Sequence, residues 1–290
     1  MKNTGSPLFS ILVANYNNGS YFKDCFDSIL SQTYQNWEVI IVDDCSTDNS
    51  VEIIKNIIGN DDRFKIYINQ ENKGCGYNKR RCAELATGDI CAFVDPDDAI
   101  TPEALQLNVQ AHREYPEISM VYSDLNVCDG DLKLNQVFQG KQVENNDTHF
   151  FNLSSPIHHF ATYKNDFYQK TEGIDPYLQR AVDQDLYIKM YESGPVKYIN
   201  HALYNYRVHN NGISTFKNQD KAFYWHWLVI NNAAKRRNIN VENLFLENFF
   251  RIDRPHNELS QLRYKVDRMK KSKWAQLGAK LGLFKFFKEL

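Results

Sequence analysis

Short apolar runs alternate with helical patterns through the first third of the chain. The apolar runs are continuous and cover residues 9–13, 37–42, 64–68 and 90–94. Between them, apolar positions recur at the spacing of amphipathic helices over residues 21–31, 50–58 and 77–86. Strands that are apolar on both faces are typical of a parallel sheet covered by helices on either side. The pattern therefore predicts an α/β fold with a Rossmann-like, mostly parallel sheet flanked by helices.

The pattern changes after about residue 115. Further elements are predicted as strands over residues 118–126, 196–199 and 203–208 and as a helix over 182–192. From about residue 217 the spacing of apolar positions is almost wholly helical. We therefore expect an α/β domain over residues 1–215, with two halves that meet near residue 115, and a helical C-terminal extension over residues 216–290.

The net charge is small, but the charges are unevenly distributed. The chain has 34 Lys plus Arg and 36 Asp plus Glu, a formal charge of −2, which disfavours a nucleic-acid partner. Residues 251–290 hold 11 of the basic and 4 of the acidic residues. There the apolar positions Trp274, Leu277, Leu281 and Phe284 recur at helical spacing among lysines, which suits adsorption to an anionic membrane. The same stripe suits packing on the α/β domain or on a second copy in a homo-oligomer.

Neither a membrane span nor a disulfide framework is indicated by the sequence. No run approaches the roughly 18 apolar residues needed to cross a bilayer. The apolar run at residues 8–14 stops at a polar Asn-Tyr-Asn-Asn cluster without a cleavage site, so it is interpreted as a strand. The six cysteines form no C-x-x-C pair. We expect a cytoplasmic protein, with peripheral contact to the inner face of the membrane through the basic C-terminal helix.

Polar loops follow the predicted strands, at the edge where open α/β sheets bind ligands. One of them, after the fourth strand, contains Asp95, Asp97 and Asp98. Three carboxylates so close together repel one another, and a hard divalent cation such as Mg²⁺ would relieve that repulsion. The alternative is a solvated acidic turn in which Asp98 caps the following helix.

A second acidic pair, Asp43 and Asp44, follows the second strand. A carboxylate in this place commonly binds a nucleoside hydroxyl or base edge. The alternative is helix capping, which Ser46 or Asp48 could also provide. The first loop lacks the motif G-x-G-x-x-G, which excludes a dinucleotide-binding dehydrogenase. The sequence also lacks the motif G-x-x-x-x-G-K-[ST], which excludes a P-loop enzyme.

Four segments in order resemble family 2 glycosyltransferases, which have the GT-A nucleotide-sugar fold. They are SILVANYNN, SILSQTYQNWEVIIVDDCSTDNS, NKGCGYNKRRCAELATGD and ICAFVDPDD, and together they cover residues 8–98. The resemblance implies a nucleotide-binding half over about residues 1–115 and an acceptor half over about residues 116–215. It implies inverting, metal-dependent transfer from a nucleotide sugar, expected to be a UDP-sugar, to a glycan or lipid-linked glycan acceptor in cell-surface polysaccharide biosynthesis.

The resemblance also implies a role for residues around the nucleotide. Ala14 and Tyr16 match the segment that lines the base pocket, with Tyr16 as the stacking ring. Asp44 matches the carboxylate that reads the uracil, with Asp43 as its neighbour. Asp95 matches the carboxylate near the ribose.

The diphosphate and its metal are assigned in the same way. Asn72 precedes the helix that carries Lys79 and Arg81 towards the diphosphate, and the family often has Arg where this chain has Lys79, so either cation could make the contact. Asp97 matches the metal ligand of the D-x-D motif. His209, in the segment RVHNNGIS, is the second candidate ligand for Mn²⁺ or Mg²⁺.

The catalytic base implied by the resemblance is Asp183. It lies in RAVDQDL, where Val182 replaces the usual Glu, and a carboxylate at a helix N-terminus stays ionised as a base requires. Without the resemblance, Asp183 would be interpreted as simple complementarity to the helix dipole. An acceptor-binding or supporting role is expected for Asp98, Asp185, His158 and His159.

Two other functions remain open. A sugar nucleotidyltransferase of related topology would need a Gly-rich basic loop after the first strand, and NYNNGS has no basic residue. A catalytically inactive nucleotide- or glycan-binding scaffold would tolerate loss of the acidic residues. Asp44, Asp97 and Asp183 are all present, which argues against this alternative.

Overall fold

A computed structural model describes residues 5–209, 219–250, 262–266 and 268 of the protein. Over these residues the strands are β1 (Phe9–Asn15), β2 (Trp37–Asp43), β3 (Phe64–Ile68), β4 (Ile90–Phe93), β5 (Ala99–Ile100), β6 (Met120–Cys128), β7 (Leu134–Phe138), β8 (Ala161–Lys164) and β9 (Val196–Arg207). The helices are α1 (Phe22–Leu30), α2 (Ser50–Ile58), α3 (Cys75–Leu85), α4 (Ala104–Glu114), α5 (Asn165–Tyr168), α6 (Val182–Ser193), α7 (Gln219–Arg237) and α8 (Glu242–Phe245). The described strands form a single sheet.

The first four strands form the parallel part of the sheet, in the order β3-β2-β1-β4. All three neighbouring pairs are parallel. Every residue of β2, and all but one of β1, is buried, because helices cover both faces. The prediction of a parallel α/β sheet is confirmed, and its physical basis is the absence of a polar face in these strands.

The second half of the sheet is mixed. β8 lies between β4 and β6 and runs antiparallel to both. β6 then pairs parallel with β9 and antiparallel with β7, and the short β5 pairs antiparallel with β9. β4 thus lies beside β8, and the loop after β4 contacts β9, two elements from the second half of the chain.

Two expectations for the second half are wrong in detail. Residues 196–199 and 203–208 were predicted as separate strands, but Val196–Arg207 is one strand. Asp124 pairs with Ala202 directly after Ser123 pairs with Ile199, so the polar residues between them bulge out of the ladder and interrupt the apolar pattern. β7 was not predicted, because all five of its residues are exposed and carry no burial signal.

The chain contacts divide the molecule into two units, Met1–Ala233 and Ala234–Leu290. The α/β domain predicted over residues 1–215 falls within the first unit, and its boundary near residue 215 stays a prediction. Among the described helices, none is both long and apolar enough to cross a membrane. The basic apolar stripe from Trp274 to Phe284 lies outside the described residues.

The N-terminus of α3 is fastened to the loop that precedes α6. The backbone N–H of Gly76 donates to the carbonyl of Leu178 at 2.8 Å. A Cβ at Gly76 would lie 2.5 Å from the Asp175 carbonyl and 2.6 Å from the Leu178 carbonyl. The two halves of the domain therefore meet at a backbone-to-backbone contact that only glycine permits.

We expect Gly76→Ala to destabilise the protein by about 1–3 kcal/mol, because the new methyl group overlaps fixed backbone atoms. The ordinary helix preference for alanine would act in the opposite direction by about 1 kcal/mol. Urea denaturation followed by circular dichroism measures the difference. Gly130→Ala is the control, since a Cβ there meets nothing within 4 Å, and it should change stability by less than about 0.5 kcal/mol. Equal effects of the two substitutions would contradict the prediction.

Candidate active site

The acidic loop after β4 is held in place by its last residue, Asp98. The buried Asp98 carboxylate accepts hydrogen bonds from the Arg207 backbone N–H at 2.8 Å and from the Tyr204 hydroxyl at 2.7 Å. The same Tyr204 oxygen accepts the Asp95 N–H at 3.1 Å. Burial, together with the charges of Asp97 and Asp95, raises the pKa of Asp98 well above its usual range. Asp98 therefore supports the loop, and it does not cap the next helix.

Arg207 is a second support for this loop, and sequence reasoning quoted it only as part of the segment around His209. Its buried guanidinium donates from Nε to the Asp97 carbonyl at 2.6 Å and from Nη2 to Asp24 Oδ2 at 2.6 Å. The side chain also lies over the Tyr21 ring, 5.1 Å from its centroid. The signal in the sequence that could have identified Arg207 is its position two residues before His209. Because the two residues lie so close together at the end of β9, the same strand end holds the backbone of Asp97 and positions His209.

Asp97 and His209 are brought into direct contact. Asp97 Oδ2 lies 2.8 Å from His209 Nε2, and the His209 ring packs on Tyr21 with centroids 4.9 Å apart. Two ligands at adjacent positions of a small octahedral cation lie about 3 Å apart, so this pair fits such an ion with little movement. The described residues hold no group of three or more His, Cys, Asp or Glu side chains arranged for a metal. A cation that shares substrate phosphates needs only one or two protein ligands.

The two carboxylates after β2 have different surroundings. Asp43 is completely buried and accepts from Asn15 Nδ2 at 2.7 Å and from the Ser46 N–H and hydroxyl at 2.8 and 2.6 Å. Its side chain fastens the loops after β1 and β2 to each other. Asp44 accepts from the Gly74 N–H at 2.8 Å and from Asn69 Nδ2 at 2.7 Å. It therefore holds the loop that leads into α3.

The remaining nucleotide candidates lie along the same edge. Ala14 is half-buried near the end of β1, where it pairs with Val42. Tyr16 follows that strand and is 46% exposed, which leaves its ring accessible for stacking. Asn72 is exposed in the loop that Asp44 holds. The structure thus brings these residues to one side of the sheet.

The two cations of α3 diverge, because residues two apart on a helix do not share a face. The Lys79 ammonium, on a side chain only 5% exposed, lies 2.8 Å from Asp183 Oδ1 and 3.1 Å from Asp95 Oδ1. Arg81 instead donates from Nη1 to Asn69 Oδ1 at the end of β3. Of the two candidates, Lys79 is the one that the fold brings to the acidic loop.

Asp183 lies in the first turn of α6, where the helix dipole favours an anion. The left-handed backbone of Ala181, with φ +56°, turns the chain into this helix, and Val182 is buried in the place of the usual acidic residue. Asp183 Oδ2 lies 3.9 Å from His159 Nε2, on the side opposite Lys79.

Burial by itself would raise the pKa of Asp183, but the Lys79 charge, aided by His159, outweighs it and lowers the pKa below its usual value. Burial likewise opposes the charged form of Lys79, yet Asp183 and Asp95 raise the Lys79 pKa well above its usual range. The carboxylate of Asp183 is therefore held ionised, ready to accept a proton.

Two further candidates have supporting roles. Asp185 is buried and its Oδ2 accepts from the Asp175 N–H at 2.9 Å and from Lys189 Nζ at 2.8 Å, which orders the loop before α6. His158 contacts a different part of the structure from His159. Its ring meets the edge of Phe138 with centroids 4.9 Å apart. Of the two histidines, only His159 reaches Asp183 within the described structure.

The mixed sheet, parallel in its first half and flanked by helices, is a fold of the GT-A type. Residues 10–171 match the family model described as glycosyl transferase family 2. The chain therefore belongs to glycosyl transferase family 2, as the sequence motifs predicted.

Related sequences include polysaccharide synthases. The chain is 31% identical over 234 residues to the chondroitin synthase of Escherichia coli, which covers 80% of this chain and 33% of that protein. It is 28% identical over 225 residues to the putative teichuronic acid biosynthesis glycosyltransferase TuaG of Bacillus subtilis (strain 168), covering 77% of this chain and 87% of the relative. The chain thus spans about a third of the length of the first relative.

Two solved structures establish the fold. The crystal structure of S. aureus TarS 1–349 in complex with UDP-GlcNAc gives a TM-score of 0.63 at 22% identity, over 76% of this chain and 65% of that one. The mannosyltransferase PcManGT from Pyrobaculum calidifontis, in complex with GDP-Man and Mn²⁺, gives a TM-score of 0.64 at 16% identity, over 99% and 83%.

The ion pair at Asp183 generates a prediction about pH dependence. Lys79→Met removes the charge that lowers the Asp183 pKa, so that pKa should rise by about 1–3 units. On the prediction that Asp183 is the catalytic base, only its ionised carboxylate is active. The fall in activity on acidification should then begin at a higher pH in Lys79→Met than in the wild type. The acid limb of kcat/KM for nucleotide release measures the shift.

Lys79→Arg is the matched control, since it keeps a cation at the same place, and its acid limb should stay close to that of the wild type. His159 and Tyr187 also face Asp183, Asp95 faces Lys79, and all three are unchanged in both variants. An acid limb that does not move in Lys79→Met would contradict the electrostatic role of Lys79.

Proposed function

We propose that the protein is an inverting, metal-dependent glycosyltransferase that moves a sugar from a UDP-sugar to a hydroxyl group of a glycan or lipid-linked glycan. The observation that carries this proposal is the ionised Asp183, held 2.8 Å from the buried Lys79 that also contacts Asp95 of the acidic loop. A proton acceptor and the donor-side carboxylates are thereby fixed within one small site. An inverting transfer requires this pairing, because the base must act on the acceptor while the nucleotide leaves.

The donor side supports a nucleoside diphosphate sugar. Tyr16 offers an exposed ring for the base and Asp95, 29% exposed, an acceptor for the ribose, while the buried Asp44 supports this side of the site by holding the loop that leads into α3. The TarS structure of the same fold contains UDP-GlcNAc, which favours a uridine donor carrying a hexose or an N-acetylhexosamine. Asp97 and His209 would hold Mn²⁺ or Mg²⁺, and a bound ion would neutralise charge on the departing diphosphate.

Asp183 performs the proton transfer. The acceptor O–H bond breaks and its proton passes to the Asp183 carboxylate, while an oxygen lone pair forms the new bond to the anomeric carbon. The bond from that carbon to the diphosphate oxygen breaks on the opposite face, and its electron pair leaves with the nucleotide. The configuration at the anomeric carbon is inverted, through an oxocarbenium-like transition state.

The biological setting that we propose is the assembly of a surface polysaccharide such as capsule or O-antigen. Its support is the similarity to the chondroitin synthase and to TuaG. We place the enzyme in the cytoplasm, with the basic residues after 250 as its contact to the inner face of the membrane.

A nucleotide-release assay with a panel of donors tests the proposed function. The panel comprises UDP-GlcNAc, UDP-GalNAc, UDP-glucose, UDP-glucuronic acid and GDP-mannose, each with Mn²⁺ and with glycerol as a simple hydroxyl acceptor. We expect UDP release from at least one UDP-sugar and a β-configured product from an α-configured donor. Donor binding without release would instead identify a nucleotide-binding scaffold, and release with retained configuration would refute the inverting mechanism.

Replacing the proposed base gives a sharp test. Asp183→Asn should keep donor binding but slow transfer by about 10²–10⁴-fold, because the amide cannot accept the proton. Calorimetry of UDP binding and initial rates of UDP release measure the two properties. Asp62→Asn, at an exposed position, is the control and should keep the wild-type rate. A wild-type rate in Asp183→Asn would remove this residue from the role of base.

The metal assignment has its own test. Asp97→Ala should weaken Mn²⁺-dependent UDP binding by at least about 10–100-fold and leave metal-free UDP binding nearly unchanged. Isothermal titration calorimetry with and without Mn²⁺ separates the two effects. Asp131→Ala, in an exposed turn, is the control and should retain the Mn²⁺ effect. If Mn²⁺ strengthens UDP binding equally in both variants, Asp97 is not a ligand.

A further inference from the structure

Asp183 lies in the middle of a continuous row of polar side chains. On one side Oδ1 pairs with Lys79. On the other side Oδ2 faces His159 Nε2 at 3.9 Å, and His159 Nδ1 lies 3.3 Å from the Tyr187 hydroxyl. The Asp183 side chain is 31% exposed, so solvent or a substrate can reach it. The function proposed above uses Asp183 and Lys79 but gives no role to His159 or Tyr187.

The His159 ring is held in a defined orientation. It stacks on Tyr204 with centroids 5.0 Å apart and an interplanar angle of 18°. Tyr187 lies one helical turn after Asp183 on α6, so both side chains occupy the same face of that helix. Burial, together with the Asp183 charge, raises the pKa of Tyr187 well above its usual range and keeps its hydroxyl protonated. A protonated Tyr187 can donate to Nδ1, which leaves the His159 proton on Nε2, facing Asp183.

The gap of 3.9 Å between Asp183 Oδ2 and His159 Nε2 is too long for a direct hydrogen bond. It is short enough for one oxygen atom to lie at about 2.8 Å from both atoms, with an angle of about 90° at that oxygen. This angle is about 20° below the tetrahedral value, a departure that the broad angular range of hydrogen bonds allows. Such an oxygen would donate its proton to the carboxylate and accept the N–H of the imidazole.

We propose that the attacking acceptor hydroxyl binds in the space between Asp183 Oδ2 and His159 Nε2. His159 is then a catalytic residue, because it orients this hydroxyl. Tyr187 is a positioning residue, because it fixes the His159 tautomer. This inference rests on the proposed glycosyltransferase function. With one lone pair of the oxygen engaged by Nε2–H and its proton directed at Asp183, the other lone pair is aimed at the anomeric carbon. The proton leaves to Asp183 as that bond forms, and His159 keeps its own proton throughout.

Two variants of His159 test this assignment in the full-length chain, with glycerol as the hydroxyl probe and the donor that wild type turns over fastest. His159→Ala should lower kcat for UDP release by about 10–100-fold, because the attacking oxygen loses its orientation. UDP affinity in Mn²⁺ should stay within twofold of wild type. His159→Gln, whose amide N–H can reach the same position, should recover most of the lost rate. His201→Gln, at an exposed position of β9, is the control and should match wild type.

Tyr187→Phe tests the positioning role, since it removes only the hydroxyl group. Its kcat should fall less than that of His159→Ala, and its UDP affinity should be unchanged. The double variant Tyr187→Phe/His159→Gln should be no slower than His159→Gln alone. A glutamine has no tautomer for the tyrosine to fix, so a purely structural role for Tyr187 would instead slow both backgrounds equally.

The outcomes separate the inference from the proposed function. If wild type releases no nucleotide from any donor of the panel, the proposed function fails. If wild type is active and His159→Ala keeps kcat within twofold, the hydroxyl position is wrong while the function stands. If His159→Gln is as inactive as Asp183→Asn, His159 is itself the proton acceptor and the orienting role is overturned. Thermal melting by circular dichroism identifies a variant that fails to fold, and in that case Tyr187→Phe decides.

Discussion

The ion pair between the buried ammonium of Lys79 and two carboxylates is the interaction on which the site depends. Lys79 comes from α3, Asp95 from the loop after β4, and Asp183 from the first turn of α6. Without the cation, two carboxylates that approach the same point would repel each other and become protonated or separate. The buried charge thus joins two halves of the domain and sets the ionisation of the proposed base.

Most carboxylates around this centre hold loops in place. Asp43, Asp44, Asp98 and Asp185 are buried, and each accepts hydrogen bonds from backbone N–H groups or neighbouring side chains. Such bonds satisfy backbone donors that a loop would otherwise leave unpaired. The less buried carboxylates, Asp95, Asp97 and Asp183, are those left to face a ligand. Burial therefore separates the supporting acidic residues from those available for chemistry, although all of them belong to similar sequence motifs.

The proposed hydroxyl position extends this arrangement to the acceptor. Asp183 has one oxygen committed to Lys79 and the other directed towards His159, so its two sides serve different purposes. The Lys79 side fixes its charge, and the His159 side offers a place where an oxygen can bind. The stacking of His159 on Tyr204 matters further, because the Tyr204 hydroxyl also binds Asp98 and the Asp95 N–H. One tyrosine therefore contacts both His159 and the acidic loop after β4.

Sequence patterns predicted best those elements that can be recognised from the hydrophobic pattern of one segment alone. The strands β1, β2 and β4 are buried almost throughout, so mostly apolar runs revealed them, and Ser50–Ile58 and Phe64–Ile68 were predicted to the residue. The exposed β7 and the bulged β9 were missed or divided, since exposure and a bulge erase the periodicity on which such predictions rely. The placement of the candidate site at the carboxyl edge of the sheet followed from the same parallel order.

The sequence by itself determined the parallel sheet, the acidic loops at its edge and the family to which the chain belongs. Only the tertiary structure decided that Lys79 meets Asp183, 104 residues away, while Arg81 turns to Asn69. It also selected His159 over His158 and revealed the support that Arg207 gives to Asp97. The physical reason is that a repeating pattern records which face of one element is buried. Which distant side chains then come within a few ångströms depends on strand register and side-chain direction, and those arise only when separate segments pack together.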